Sequence, residues 1–185
     1  MEKQLKIFGI LHKLNLATWE ELRLVADKAL NNGIYSPSLV DAALDADAEI
    51  YYVGMAFDKA LKELNIAIPE SKNKCLWLAL QHYINAISQS QACLSAYNTL
   101  TPYEGTRKIK HIFNSCKLYN KSRNYMGDSH DVHYFIGYYE EYWEYEELSY
   151  ERLFTIEERQ EFFEECDREV SRIAKDWLQK HQRSE

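Results

Sequence analysis

The sequence has few of the residues that end secondary structure or build metal and redox sites. Six Gly and three Pro occur in 185 residues, below the roughly 12% that the two average together, which disfavours sandwiches and barrels with many tight turns. The four cysteines, Cys75, Cys93, Cys116 and Cys166, form no CxxC pair, so that neither a zinc ribbon nor dithiol chemistry is indicated. We expect reduced thiols in the core, although the spacing alone leaves a disulfide open.

Long apolar runs and glycine-rich catalytic motifs are missing as well. After the N-terminal run at residues 7–11, the longest apolar run is formed by residues 75–80. It is far short of the roughly 20 residues that a membrane span needs. Residues 7–11 are too few for the apolar region of a signal peptide. No P-loop, GxSxG or GxGxxG sequence occurs, which removes the usual support for nucleotide binding or acyl transfer. These absences predict a cytoplasmic protein that binds no membrane and needs no cofactor.

The sequence does contain helix starts followed by apolar residues at helical spacing. Thr18 and Thr155 are each followed three residues later by Glu, the pattern of a capping box. Ser36 and Thr101 each precede a proline, which suits the first position of a helix. The apolar periodicity predicts helices from Thr18 to about 31, 37–64, 76–100, 101–127, 132–148 and 155–177. We therefore predict an all-α fold, an antiparallel bundle of about six helices forming a single domain over residues 1–185.

Charge is unevenly distributed along the chain. Residues 101–126 carry six Lys or Arg and one Glu, whereas residues 132–169 carry thirteen Asp or Glu and three Arg. In one interpretation, neighbouring antiparallel helices pair a basic face with an acidic face, and exposed pairs of this kind stabilise a fold by only about 0–1 kcal/mol each. In the other, the acidic excess is a docking surface, because clustered charge of one sign attracts partners of opposite charge.

The acidic segment is also rich in tyrosine, which favours a binding function. Tyrosine is common at interfaces because its ring gives apolar area and its hydroxyl gives a hydrogen bond. We predict a non-catalytic binding protein of the inhibitor, immunity-protein or adaptor type that docks a basic protein partner, with a homodimer through the same surface as the alternative. The predicted contact residues are Tyr138, Glu140, Glu141, Tyr142, Glu144, Tyr145 and Glu147. The structural alternative is that the tyrosines only cover the flanks of the core.

A second hypothesis comes from Arg123-Asn124 and the later His130. A fixed guanidinium can hold a phosphate, and a histidine, whose reference pKa is about 6.5, can move a proton. The spacing resembles the RX4–6H motif of the HEPN superfamily of all-helical nucleases and their relatives. The resemblance implies metal-independent cleavage of RNA by 2′-hydroxyl attack at a dimer interface, with Arg123 on the phosphate and His130 as acid or base. Otherwise Arg123 complements the end of its helix and pairs with Asp128 or Asp131.

Two further patterns contain metal-ligating residue types. The first is the cluster Asp128, His130, Asp131 and His133. The second is Glu144-x-x-Glu147 followed by Glu164-x-x-Asp167, which resembles the ExxE and ExxD pairs with which all-α NTP pyrophosphohydrolases hold magnesium. Asp, Ser and His are common in turns and caps, and dense glutamates are typical of a solvated helix face. We therefore predict no metal site.

Overall fold

The computed structural model describes residues 1–44, 50–89, 100–118, 130–150 and 154–181. These residues form eight α-helices and no β-strand, which confirms the all-α prediction, although the helices outnumber the six expected. They are α1 (Glu2–Lys13), α2 (Trp19–Asn31), α3 (Pro37–Leu44), α4 (Ile50–Glu63), α5 (Lys72–Gln89), α6 (Pro102–Ser115), α7 (His133–Tyr150) and α8 (Ile156–His181). Among them, none has the length and apolar content needed to cross a membrane.

The predicted capping residues do begin helices. The Thr18 side chain accepts a hydrogen bond from the Glu21 amide, and the Glu21 carboxylate accepts one from the Thr18 amide at 3.0 Å. Thr101 and Thr155 make the same reciprocal bonds at the starts of α6 and α8. Each box satisfies backbone donors that a helix start leaves unpaired. Local sequence therefore determines where α2, α6 and α8 begin.

The chain divides into two compact units, and α5 contributes to both. The first unit contains α1 to α4 and the part of α5 up to Ala79, and the second contains the rest of α5 with α6, α7 and α8. In the first unit α2 contacts α1, α3 and α4. Its core is built from fully buried apolar side chains, among them Leu5, Leu22, Val25, Leu39 and Phe57. Whether the two units behave as one domain stays a prediction.

The long helix expected over residues 37–64 is instead a helical hairpin. The Ser38 amide donates a hydrogen bond to the Glu63 carboxylate at 3.1 Å, and the Ser38 hydroxyl donates another at 2.7 Å. In one straight helix these residues would lie about 37 Å apart. The prediction of a continuous helix was wrong because α3 and α4 carry the same apolar periodicity, and periodicity does not show where a chain reverses. Residues 45–49, between the two helices, lie outside the described residues.

In the second unit α6, α7 and α8 pack against one another. Ile84, Ile109, Phe113, Phe135 and Val170 are fully buried there. The hydroxyl of Ser171 donates a 3.1 Å hydrogen bond to the carbonyl oxygen of Ile87, which joins α8 to α5. The helices predicted over 132–148 and 155–177 are confirmed as α7 and α8.

The end of α6 differs from the prediction. The apolar stripe was expected to continue to residue 127, but α6 ends at Ser115, and Lys117 has a φ of 52°. A residue in this left-handed conformation ends a helix. The prediction of one helix over residues 101–127 was therefore wrong at its C-terminal end. Arg123 itself lies outside the described residues, as do positions 119–129 in general.

Candidate functional site

The predicted contact surface lies on α7, which has a buried face and an exposed face. Phe135, Ile136 and Tyr142 are buried in the second unit. On the other side, the exposed residues of α7 are Tyr134, Gly137, Glu140, Glu141, Trp143, Glu144 and Glu147. Side chains three or four positions apart share one face of a helix, so the exposed glutamates form a continuous acidic row. All four predicted contact glutamates belong to this row.

Tyr142, in contrast, supports the surface from beneath. It is only 1% exposed, and its ring packs 5.6 Å from that of Phe163 and 5.1 Å from that of Tyr103, measured between centroids. Its hydroxyl donates a 2.5 Å hydrogen bond to the Asp167 carboxylate on α8. Burial, together with that carboxylate, raises the pKa of Tyr142 far above its usual range. Tyr142 therefore does not belong to the contact surface, because its position on the apolar face of α7 places its side chain in the core.

Tyr138 and Tyr145 are half-buried. The ring of Tyr145 stacks on Phe162 with a centroid distance of 3.8 Å and on Phe154 at 4.3 Å, so it holds the ends of α7 and α8 together. Burial, and then the carboxylates of Glu141 and Glu169, raises the pKa of Tyr138. Both tyrosines lie at the margin of the acidic row, where each combines packing with partial exposure.

Cations of the same unit neutralise only some of the glutamates of α7. Glu140 forms an ion pair with Lys110 of α6. Glu146 pairs with Arg159 at 3.2 Å and also accepts a 3.3 Å hydrogen bond from the Tyr103 hydroxyl. Within the described ranges, no cation pairs with Glu141, Glu144 or Glu147. The interpretation of paired helix faces therefore fits Glu140, whereas the other three carboxylates keep an unbalanced charge.

The acidic row of α7 continues onto α8. Burial, and then the nearby carboxylates of Glu141, Asp167 and Glu165, together raise the pKa of the Cys166 thiol to about 11. Burial also raises the pKa of Asp167; the hydrogen bond from Tyr142 lowers it, and the Glu164 carboxylate raises it. The effect of Glu141 on Cys166 places this end of the α7 row beside α8, because charge interactions in water fall off within about 10 Å. We call the set Glu141, Glu144, Glu147, Glu164 and Glu165 the acidic surface.

Three exposed residues of α7, namely Tyr134, Gly137 and Trp143, were not among the predicted contact residues. Tyr134 is 58% exposed and Trp143 is 49% exposed, and both lie on the exposed side of α7 beside the glutamates. Large exposed aromatic rings are typical of binding surfaces. The sequence shows that these rings exist, but which of the many aromatic residues face outward depends on how α7 packs against α6 and α8.

The Arg123 and His130 hypothesis is left with one described residue. His130 is 6% exposed, and its carbonyl oxygen accepts a 3.0 Å hydrogen bond from the indole nitrogen of Trp177. The neighbouring Asp131 carboxylate pairs with Lys180 at 2.7 Å and with His181 at 2.9 Å. Burial raises the pKa of Asp131, but hydrogen bonds and charge from these two partners hold it below its usual range. This segment is therefore tied to the end of α8, and the catalytic pair stays a prediction.

Neither of the metal-ligating patterns forms a cluster in the part of the chain that the structure describes. Those residues contain no group of three or more His, Cys, Asp or Glu side chains that could hold a metal ion. In the ExxD pattern, Asp167 is hydrogen-bonded to Tyr142, while Glu164 is exposed. Asp128, a member of the loop pattern, lies outside the described residues. Cys75, Cys116 and Cys166 form no disulfide.

Comparison with known proteins identifies no relative of this chain. No family model matches it, and neither does any curated protein or solved structure. The resemblance to the HEPN superfamily therefore still depends on Arg123 and His130 alone. The chemistry of the side chains themselves is what indicates a function, and charge and exposed aromatic area occur together on the α7–α8 surface.

Proposed function

We propose that this chain is a non-catalytic binding protein that docks a basic protein partner through the acidic surface of α7 and α8, in the manner of an inhibitor, immunity protein or adaptor. The observation that carries the proposal is the set of exposed carboxylates on α7, Glu141, Glu144 and Glu147, that no cation of the described residues neutralises. Such a cluster attracts a cationic partner over several ångströms and raises the rate of association.

Exposed aromatic area supports the proposal independently of charge. Trp143 lies between Glu140 and Glu147 along α7 and is half exposed. Charge steers association, but most of the affinity of an interface comes from a few buried anchors, and tryptophan is one of the residue types enriched among them. Trp143 is therefore the anchor, and the glutamates around it select a partner rich in lysine or arginine.

The proposal also includes a reducing cytoplasmic setting. Cys75 and Cys166 are buried thiols and Cys116 is a partly exposed one, and none of the three forms a disulfide. Proteins in oxidising compartments commonly convert such residues to disulfides, whereas cytosolic proteins keep them reduced. Both the burial and the raised pKa of Cys166 suit a structural role for this thiol.

The test compares two triple variants of equal net charge. One replaces Glu141, Glu144 and Glu147 with Lys, and the other makes the same change at three exposed acids of the first unit, Asp27, Asp41 and Glu70. We expect a partner captured from the native host to bind wild type and the control equally and the α7 variant at least about tenfold more weakly, because like charges then face each other.

Circular dichroism of wild type and the two triple variants is the folding control. We expect the same helix content in all three proteins. Raising the salt concentration should also weaken capture by wild type, because salt screens exposed charges. Equal capture by wild type and the α7 variant would remove the acidic surface as the docking site.

A further inference from the structure

Gly137 occupies a position where the chain's own fold does not require a glycine. It lies within α7, where a glycine is unfavourable relative to alanine because it loses more conformational freedom on folding. A Cβ atom built on Gly137 would meet no other described atom within 4 Å. Gly105 of α6 is different, since a Cβ there would lie 2.5 Å from Cγ1 of Ile87. Packing explains Gly105, but it does not explain Gly137.

The residues around Gly137 form a notch on the outer side of the helix. Tyr134 precedes it by three positions, and Glu141 and Glu144 follow it by four and seven, so that all four lie on one face. The Tyr134 ring is 58% exposed. An exposed ring therefore lies on one side of the open backbone, and on the other lie two carboxylates that no cation among the described residues pairs with.

We propose that the partner presents a lysine- or arginine-rich amphipathic α-helix that crosses α7 at Gly137. This inference rests on the proposed function and adds the form of the partner to it. Helices pack at interaxial distances of about 8–10 Å that depend on the side chains at the crossing point, so a glycine there permits the closest approach. Apolar residues of the partner helix contact the Tyr134 ring, and its cations reach Glu141 and Glu144.

An extended peptide fits this surface less well than a helix. Peptides that bind as strands need a sheet edge with free backbone groups, and the described residues form no strand. Proline-rich peptides dock in grooves lined by several aromatic rings. Among the described residues, Tyr134 is the one exposed ring three or four positions from Gly137, and the partly buried His133 ring packs against it. Charged residues repeated every three or four positions on α7 are matched by a facing helix with the same rise per residue.

The experiment uses two synthetic peptides of identical lysine and leucine composition. In one the leucines recur at helical spacing, and in the other they alternate with lysine, which favours a strand. Fluorescence anisotropy of the labelled peptides measures their affinity for the full chain. We expect wild type to bind the helical peptide more tightly than the alternating one. Gly137→Leu should reduce affinity for the helical peptide about tenfold and leave the alternating one unchanged.

The outcomes separate this inference from the proposed function. Gly137→Leu and Gly137→Ala favour the helical state of α7, so thermal unfolding will show that a loss of affinity is not a loss of folding. If Gly137→Leu binds the helical peptide as wild type does, or wild type prefers neither peptide, the crossing at Gly137 is overturned. The triple Lys variant at Glu141, Glu144 and Glu147 tests the surface itself: unchanged affinity for both peptides would overturn the proposed function too.

Discussion

Tyr142 and Asp167 form a polar contact between α7 and α8 in surroundings that are otherwise aromatic and acidic. The Tyr142 hydroxyl is the donor, at 2.5 Å from the Asp167 carboxylate, and the Phe163 ring covers one side. A buried hydroxyl without an acceptor costs about 1–3 kcal/mol, which gives Asp167 a structural role. The sequence placed Asp167 in a magnesium pattern, because spacing along a helix does not show which carboxylate is taken by a neighbouring hydroxyl.

Asp167 should make folding stability depend on pH in a direction opposite to that of most paired carboxylates. Burial raises the pKa of Asp167 in spite of the hydrogen bond from Tyr142, and Glu164 raises it further. A folded-state pKa above the unfolded value of about 3.9 means that the folded state binds the proton more tightly. This contribution to stability is complete below the unfolded pKa and is lost as pH rises through the folded pKa.

We therefore expect wild type to gain stability relative to Asp167→Asn when pH falls from neutral towards about 4. The asparagine oxygen still accepts the Tyr142 hydrogen bond but does not titrate. Urea unfolding of both proteins over this pH range measures the difference. Glu161→Gln, which removes an exposed carboxylate from the same helix, is the control and should follow wild type. If the free energy of unfolding of wild type, relative to that of Asp167→Asn, falls or stays constant on acidification, the prediction is contradicted.

At the scale of the helices, Gly105 and Gly137 should respond in opposite ways to the same substitution. Gly105→Ala places a methyl group 2.5 Å from Cγ1 of Ile87, so the Ile87 side chain or the backbone around it must shift, and overpacking of this kind costs about 1–3 kcal/mol. Gly137→Ala meets no described atom and should stabilise the chain by about 0.5–1 kcal/mol. Thermal and urea unfolding of the two variants show whether each substitution lowers or raises the free energy of unfolding. Destabilisation by Gly137→Ala would mean that α7 has a contact within the chain at this position.

The helices show which features a sequence predicts and which it does not. Capping at Thr18, Thr101 and Thr155 depends on residues three positions apart, and all three helix starts were predicted correctly. The reversal between α3 and α4 depends on the Ser38 and Glu63 contact, made by residues 25 positions apart, and was missed. Helix α1 was not predicted either, because the short apolar run of residues 7–11 does not by itself distinguish a helix from part of a targeting segment.

At the scale of the whole molecule, the sequence predicted the negative charge of the candidate surface better than it predicted which residues form that surface. An acidic excess in the last third must reach solvent somewhere, since buried unpaired charges are too costly. Which glutamates stay unpaired depends on which cation lies opposite, and Lys110 happens to face Glu140. In the same way, the outward positions of Tyr134 and Trp143 and the inward position of Tyr142 follow from three-helix packing.

The continuity of α5 bears on whether the chain unfolds as a single domain. Buried side chains of this one helix belong to both units, Leu76 to the first and Ile84 to the second. If the first unit loses its structure, the part of α5 within it loses the packing that stabilises a helix in water. We therefore expect the two units to unfold together, in one cooperative transition.

Phe57→Ala in the first unit and Phe113→Ala in the second test this expectation. Both side chains are fully buried, and each truncation should cost about 3–5 kcal/mol. In a single domain, both variants lower the midpoint of the same urea transition, and the curves from circular dichroism and tryptophan fluorescence coincide. Trp19 and Trp77 report on the first unit, and Trp143 and Trp177 report on the second. Two separate steps, each moved by only one of the variants, would mean that the units are independent domains joined by α5.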